Sequence, residues 1–547
     1  MLADIFRGVG TWYRGRPSLV VQRVDTASNR SFAVRTGRHC RAVAIAIVSL
    51  LAVPLPAQVS SAKLAELDAY ISKSVAEWNV AGLAVAVVHR GQTVFAKGYG
   101  VRQVGRPEPV DTATLFAIAS TTKAITAAAL AMLVDEGKVR WDDPVIAYLP
   151  DFQLYDPWVT REVTVRDLLT HRAGLPNADF LWTGGDNSPD EIVRRLRFLR
   201  PAYSMRSSFV YQNIMYLVAG KVVEAASGKP WEQFVRERIF VPLGMYRTVP
   251  TQAAAVSMDN RAVPHWPRGD TLFVIKNSLA DAIAPAGAVW SSVADMSRWV
   301  RFLLDSGRVG GQRLLSASAW AELFRPQVVI PTGGEPSPPV QLSRPRWRTY
   351  GLGWFQQDYA GRQVDFHTGS LNGMIAILGL VRDEQLGVYI LGNTDHAELR
   401  HALMFKVFDT FLELPSRDWS AQLLSLYRRQ WARSDSLARA AAARRVPGTR
   451  PSLPLERYAG TYSDSLFGAV EVSYDGGTLR LRISSTQVAV LEHWHYDTFR
   501  ARWEDWWRGT SQVTFVIGSS GSAERLELGG HVLRRVATPP PPRGRGA

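Results

Sequence analysis

Apolar residues recur at helical spacing over residues 62–80. Leu64, Leu67, Tyr70, Ile71, Val75 and Trp78 fall on one face, which predicts an amphipathic helix. Two β-rich runs follow, Gly82–Val88 and Thr93–Val101, separated by Arg90-Gly91-Gln92, and read as a hairpin. An alanine-rich helix is predicted from Ser120 to Glu136, with Gly137 as its stop signal. Residues 141–320 are mostly helical in pattern. The strand pattern then returns at Gly353–Gln357, Gln363–Phe366, Met374–Val381 and Gly387–Leu391. Strands near both ends of this region therefore bracket a helical middle. The expected fold is α/β (α+β): a mainly antiparallel sheet flanked by helices, with a helical lobe. Residues 397–445 read as helix until Val446-Pro447-Gly448 breaks it. Residues 455–536 form a separate small β-rich domain, with strands expected at Ala469–Tyr474, Thr478–Ile483 and Gln512–Ile517.

Composition narrows the class. Hydrophobic residues make up 46% of the 547 and charged residues 21%, which supports a packed core and excludes disorder. The net charge is +15, and residues 1–57 carry eight arginines against two aspartates. Within that stretch, Arg35, Arg38 and Arg41 precede Ala42–Val53, which is apolar except for Ser49, and then Pro54-Leu55-Pro56-Ala57. This reads as an export signal, with a start nearer Val34 expected. The apolar run is short of the ~20 residues a membrane span needs. A periplasmic or secreted location, and no stable span once the signal is removed, follow as expectations. Cys40 is the one cysteine, so no internal disulfide framework can form. No nucleic-acid-binding motif, phosphate-cradling glycine loop or Gly-x-Ser-x-Gly elbow is present. His493 and His495 lack further ligands for a zinc site. Trp503, Trp506 and Trp507 can stack on sugar rings, though such a cluster more often forms the core of a small β-unit.

Three short motifs carry the chemistry. In Ser120-Thr121-Thr122-Lys123, the i and i+3 side chains share a helical face. Serine is a weak nucleophile without a base, and lysine can serve as one when burial lowers its pKa. A second Ser-x-x-Lys, Ser60 to Lys63, lies beside the presumed cleavage site and shows how cheap the pattern is alone. Tyr211-Gln212-Asn213 follows a polar loop and enters an apolar helix. Its Tyr hydroxyl can relay a proton and its Asn can bond both lysine and substrate. His367-Thr368-Gly369-Ser370 ends a strand. Gly369 would let backbone approach a ligand, and the Ser370 N–H would join that of Ser120 as an oxyanion hole.

The three in this order resemble the serine β-lactamase and DD-peptidase superfamily, in its class C-like branch. Leu168-Leu169-Thr170-His171, Gly174-Leu175-Pro176, Val241-Pro242-Leu243-Gly244-Met245 and Pro285-Ala286-Gly287 look like that branch as well. The resemblance covers roughly 62–397, the expected hydrolase domain. It leaves 398–450 as a helical connector, 455–536 as an appended module and 537–547 as a disordered tail. It implies that Ser120 attacks a carbonyl to form an acyl-enzyme. Lys123 takes the hydroxyl proton, in concert with Tyr211, and Tyr211 protonates the leaving group. Asn213 orients substrate, and His171 is structural. It implies no metal or cofactor, and a small-molecule or peptide substrate such as a peptidoglycan fragment. The third motif often begins with Lys. Here it is His367, whose ordinary pKa of about 6.5 would leave it only partly charged. Amide, lactam and ester remain open as substrates. So do a penicillin-recognising sensor and a non-catalytic wall-binding protein.

Overall fold

The strand Gly-Leu-Ala-Val-Ala-Val-Val-His is apolar on both faces because helices cover it on both sides. The computed structural model describes residues 60–331, 335–395 and 397–536; the expected export segment and tail lie outside them. Helix α1 (Ser61–Glu77) precedes strands β1 (Gly82–His89) and β2 (Gln92–Gly100). Then come α2 (Thr122–Asp135), α3 (Asn213–Ser227) and α4 (Val293–Leu304) among shorter helices. Strands β3 (Val328–Val329), β4 (Arg348–Tyr350), β5 (Phe355–Tyr359), β6 (Arg362–Leu371), β7 (Met374–Val381) and β8 (Leu386–Gly392) follow. Together they make one eight-stranded antiparallel sheet in the order β2-β1-β8-β7-β6-β5-β4-β3. The hairpin at the start is thus stitched to the last strand, β1 pairing with β8 from Leu83↔Gly392 to His89↔Leu386.

The two faces of the sheet lie in different cores. Leu83, Val85 and Val87 pack with Leu67 and Ile71 of α1 and with Leu403 and Phe408 of helix α5 (Leu399–Phe411). Ala84, Ala86 and Val88 face the helical lobe with α2, α3 and α4. Helix α5 lies inside the segment expected to be a connector, yet it is a buried core helix. Its apolar residues are spread around its circumference, so periodicity alone did not separate it from the exposed helix α6 (Trp419–Ala443) that follows.

Residues 460–535 close into an eight-stranded antiparallel barrel: β9 (Gly460–Asp464), β10 (Gly468–Asp475), β11 (Thr478–Arg482), β12 (Val488–His495), β13 (Thr498–Trp503), β14 (Thr510–Ile517), β15 (Ala523–Leu528) and β16 (His531–Arg535). Closure comes from β9 pairing with β16, which removes the sheet edges. Tyr462, Leu481, Phe499, Phe515 and Leu526 pack in one core cluster. Among the described residues, no helix is long and apolar enough to cross a membrane.

Candidate active site

Ser120 sits in a tight turn, Ala119–Thr121, just ahead of α2 rather than at its first residue. Ala119 holds a positive φ of 48°. That conformation costs a non-glycine residue about 1–2 kcal/mol, and here it forms the turn that presents Ser120 beside Lys123. The Ser120 side chain is half-buried and caps no helix. The other Ser-x-x-Lys does what such a pair ordinarily does. Ser60 caps α1 by accepting from the Lys63 N–H, and Lys63 pairs with Glu413 on the surface.

Lys123 is fully buried. Its Nζ lies 3.0 Å from Ser120 Oγ, 2.7 Å from Asn213 Oδ1 and 2.9 Å from the Ala286 carbonyl oxygen. The two latter oxygens can only accept. The serine hydroxyl can accept from the ammonium and, once the amine is neutral, can donate to its lone pair while the other two oxygens keep the two remaining N–H groups. Burial draws the Lys123 pKa down to about 7, against the opposing charge of Asp179.

Asn213 is the first residue of α3, and its side chain makes no cap for that helix. Its Nδ2 donates to both Asp179 oxygens at 3.0 and 3.1 Å, which leaves Oδ1 facing Lys123. Trp182 Nε1 and Asn177 Nδ2 also donate to that carboxylate, at 2.9 and 3.1 Å. The Tyr211 ring lies 4.9 Å from Lys123 Nζ. Burial pushes its hydroxyl well above the ordinary value, while the Ser120 side chain, in hydrogen-bonding reach, acts the other way. Tyr211 therefore keeps its proton where Lys123 readily loses one.

His367 departs from expectation. It is 1% exposed, and burial, helped by the Lys123 charge, pulls its pKa down to about 3. It is a neutral ring, not a partly charged one. The bonds around it run in one direction. The Gln212 N–H donates to His171 Nδ1 at 3.0 Å, so His171 Nε2 carries the proton and donates to Tyr350 Oη at 3.2 Å. Tyr350 Oη donates to His367 Nε2 at 3.0 Å, and His367 Nδ1 donates to the Thr368 carbonyl at 2.7 Å. This chain ties the Tyr211-Gln212-Asn213 segment to the third motif.

At Gly369 a β-carbon would collide with the Ile118 carbonyl oxygen, so the glycine lets β6 close against the Ser120 turn. Strand β5 pairs with β6 only as far as Phe355↔Phe366. His367, Thr368, Gly369, Ser370 and Leu371 pair on the β7 side alone, leaving a free edge beside Ser120. Behind this strand, buried Arg400 donates to the Ser370 hydroxyl at 2.9 Å and to the Gly369 carbonyl oxygen. Glu398, in turn, accepts from Arg400 at 2.8 Å.

Asp179, Tyr350 and Arg400 carried no recognisable motif. Asp179 does lie in the polar loop beyond Gly174-Leu175-Pro176, where a fixed acid beside Tyr-x-Asn could have been sought. Elsewhere, His493 Nε2 donates to the Tyr496 carbonyl and His495 Nδ1 accepts from the Val446 N–H. No group of three or more His, Cys, Asp or Glu among the described residues could hold a metal. Trp506 is neither barrel core nor free, packing edge-on to Phe273 at 5.5 Å with Arg268 over its ring.

A family model described as Beta-lactamase matches residues 67–407, and a domain of unknown function (DUF3471) matches residues 444–535. The chain is similar to the unguisins hydrolase ungD of Aspergillus violaceofuscus. It is 29% identical over 448 residues, covering 75% of this chain and 76% of that protein. It is also similar to penicillin-binding protein 4 of Amycolatopsis lactamdurans, 28% identical over 339 residues, covering 58% of this chain and 82% of that one. Among solved structures, the octameric penicillin-binding protein homologue from Pyrococcus abyssi aligns with a TM-score of 0.58 and 21% identity over 86% of this chain and all of that one. SurE aligns with a TM-score of 0.54 and 22% identity over 87% of this chain and 99% of that one. These two likenesses speak for the fold.

Proposed function

Since the chain belongs to the beta-lactamase family of serine hydrolases, we propose that Ser120 is its nucleophile and that it works through an acyl-enzyme on an amide, lactam or ester carbonyl. The observation that carries this is the balance around Lys123: two obligate acceptors and one serine hydroxyl about a buried amine whose pKa is about 7. Lys123 takes the Ser120 proton as Oγ bonds to the carbonyl carbon. The N–H groups of Ser120 and Ser370 receive the oxyanion, each such donor being worth ~10²–10³ in rate. Tyr211 gives its proton to the leaving group as the carbonyl bond to it breaks, and recovers one from Lys123. Water then releases the acyl group. The free edge of β6 receives a peptide-like chain by strand addition. His367, being neutral, supplies no fixed positive charge for a substrate carboxylate. This favours amide or ester substrates that lack an acid at that position over penicillin-like lactams. An arginine-flanked apolar leader at 35–57 supports export and action outside the inner membrane.

A paired assay tests the assignment. An alanyl anilide needs its leaving nitrogen protonated, whereas a nitrophenyl ester does not. Tyr211→Phe should lower anilide turnover by ~10²-fold or more and ester turnover far less. Equal losses on both would remove Tyr211 from the acid role.

A further inference from the structure

The barrel meets the catalytic unit at the loop that carries Asp179. Phe467, in the β9–β10 turn, stacks on Phe180 at 5.3 Å and 12°, and His531 of β16 meets the same ring at 4.5 Å. Arg195 fixes the turn by donating to the Phe467 carbonyl at 2.8 Å. The β11–β12 turn holds the rest of the loop. The Ser485 N–H donates to Asp186 at 2.7 Å, and Thr486 Oγ1 donates to the Gly184 carbonyl at 2.9 Å. A β-carbon on Gly184 would come within 2.9 Å of the Ser484 side chain. Phe180 immediately follows Asp179, whose two oxygens hold the Asn213 amide.

We propose that the C-terminal barrel is a positioning element of the active site. By clamping Phe180 and residues 183–186, it keeps Asp179 where it turns the Asn213 oxygen toward Lys123. This rests on the reading of Lys123 as the base. Without the carboxylate, the Asn213 amide loses its orienting acceptor and is free to present its NH2 to the amine. The groups around Lys123 come from several elements: Tyr211 and Tyr216 beside and on α3, His171, and His367. Asp179 is the carboxylate among them. Loosening it removes a charge that favours the ammonium, so the Lys123 midpoint must fall.

The full chain carrying 13Cε-lysine reports this by NMR titration, with the Lys123 signal identified by its loss in Lys123→Met. Asp179→Asn should lower the midpoint by about one pH unit. Phe467→Ala on the barrel and Phe180→Ala on the loop remove one stack from opposite sides, so either suffices if the other fails to fold. Both should lower the midpoint in the same direction, whereas Lys276→Ala, which breaks the separate ion pair with Asp505, should not. Wild-type midpoints in both phenylalanine variants would overturn the proposal. Wild-type protein that takes no fluorophosphonate at Ser120 would instead overturn the hydrolase reading and this one with it.

Discussion

Lys123 concentrates the residue-scale argument. Its unfolded pKa is near 10.5 and its folded pKa about 7. Between these values the unfolded chain holds a proton that the native chain has released, so folding gains stability as pH rises, by up to about 1.4 kcal/mol per pH unit. Lys123→Met lacks this term. In urea unfolding at several pH values from about 7 to about 10, wild type should gain on the variant along that slope; parallel curves would show that the lysine is not buried neutral. Ser120 and Lys123 were legible because they are three residues apart on one local turn. Asp179, Tyr350 and Arg400 were not, because each reaches the site through space from a separate element. The charge state of His367 was misjudged for a related reason. A lone histidine in a strand does not reveal that it will lie against Phe355, Tyr350 and Tyr211.

At the scale of elements, the site is set by how closely strand β6 approaches the Ser120 turn. Gly369 permits the contact with Ile118, and Ala119 accepts a left-handed backbone to complete it. Gly369→Ala should force β6 away. The expected loss is about 10²-fold in kcat, since a displacement near 1 Å can cost that much, with destabilisation of about 1–3 kcal/mol. An unchanged kcat would mean that this approach does not set the geometry. Strand positions in the central sheet were readable from apolar runs such as Met374–Val381, buried on both faces. The barrel was harder to read. Its strands alternate, as in Thr478–Arg482, but several are short and interrupted by charge, so the sequence pattern marks only some of the eight.

At the scale of the whole molecule, two bodies with separate cores meet along loops beside the cleft. The barrel has its own closed ladder and filled interior, while among the described residues it touches the catalytic unit through ring contacts at Phe180 and Phe273, Arg268 over Trp506, the Lys276–Asp505 ion pair and several hydrogen bonds. Residues 445–536 expressed alone should therefore give a β-rich spectrum and a cooperative melt. An unfolded fragment would show that the barrel depends on its partner. The central claim, that Ser120 is a nucleophile activated by a lysine poised near neutrality, is tested most directly by fluorophosphonate labelling followed by intact-mass analysis across pH. The account predicts one adduct on wild type, none on Ser120→Ala, and a labelling rate that rises with pH through a midpoint of about 7. Labelling that persists in Ser120→Ala, or a wild-type chain that never labels, would contradict it.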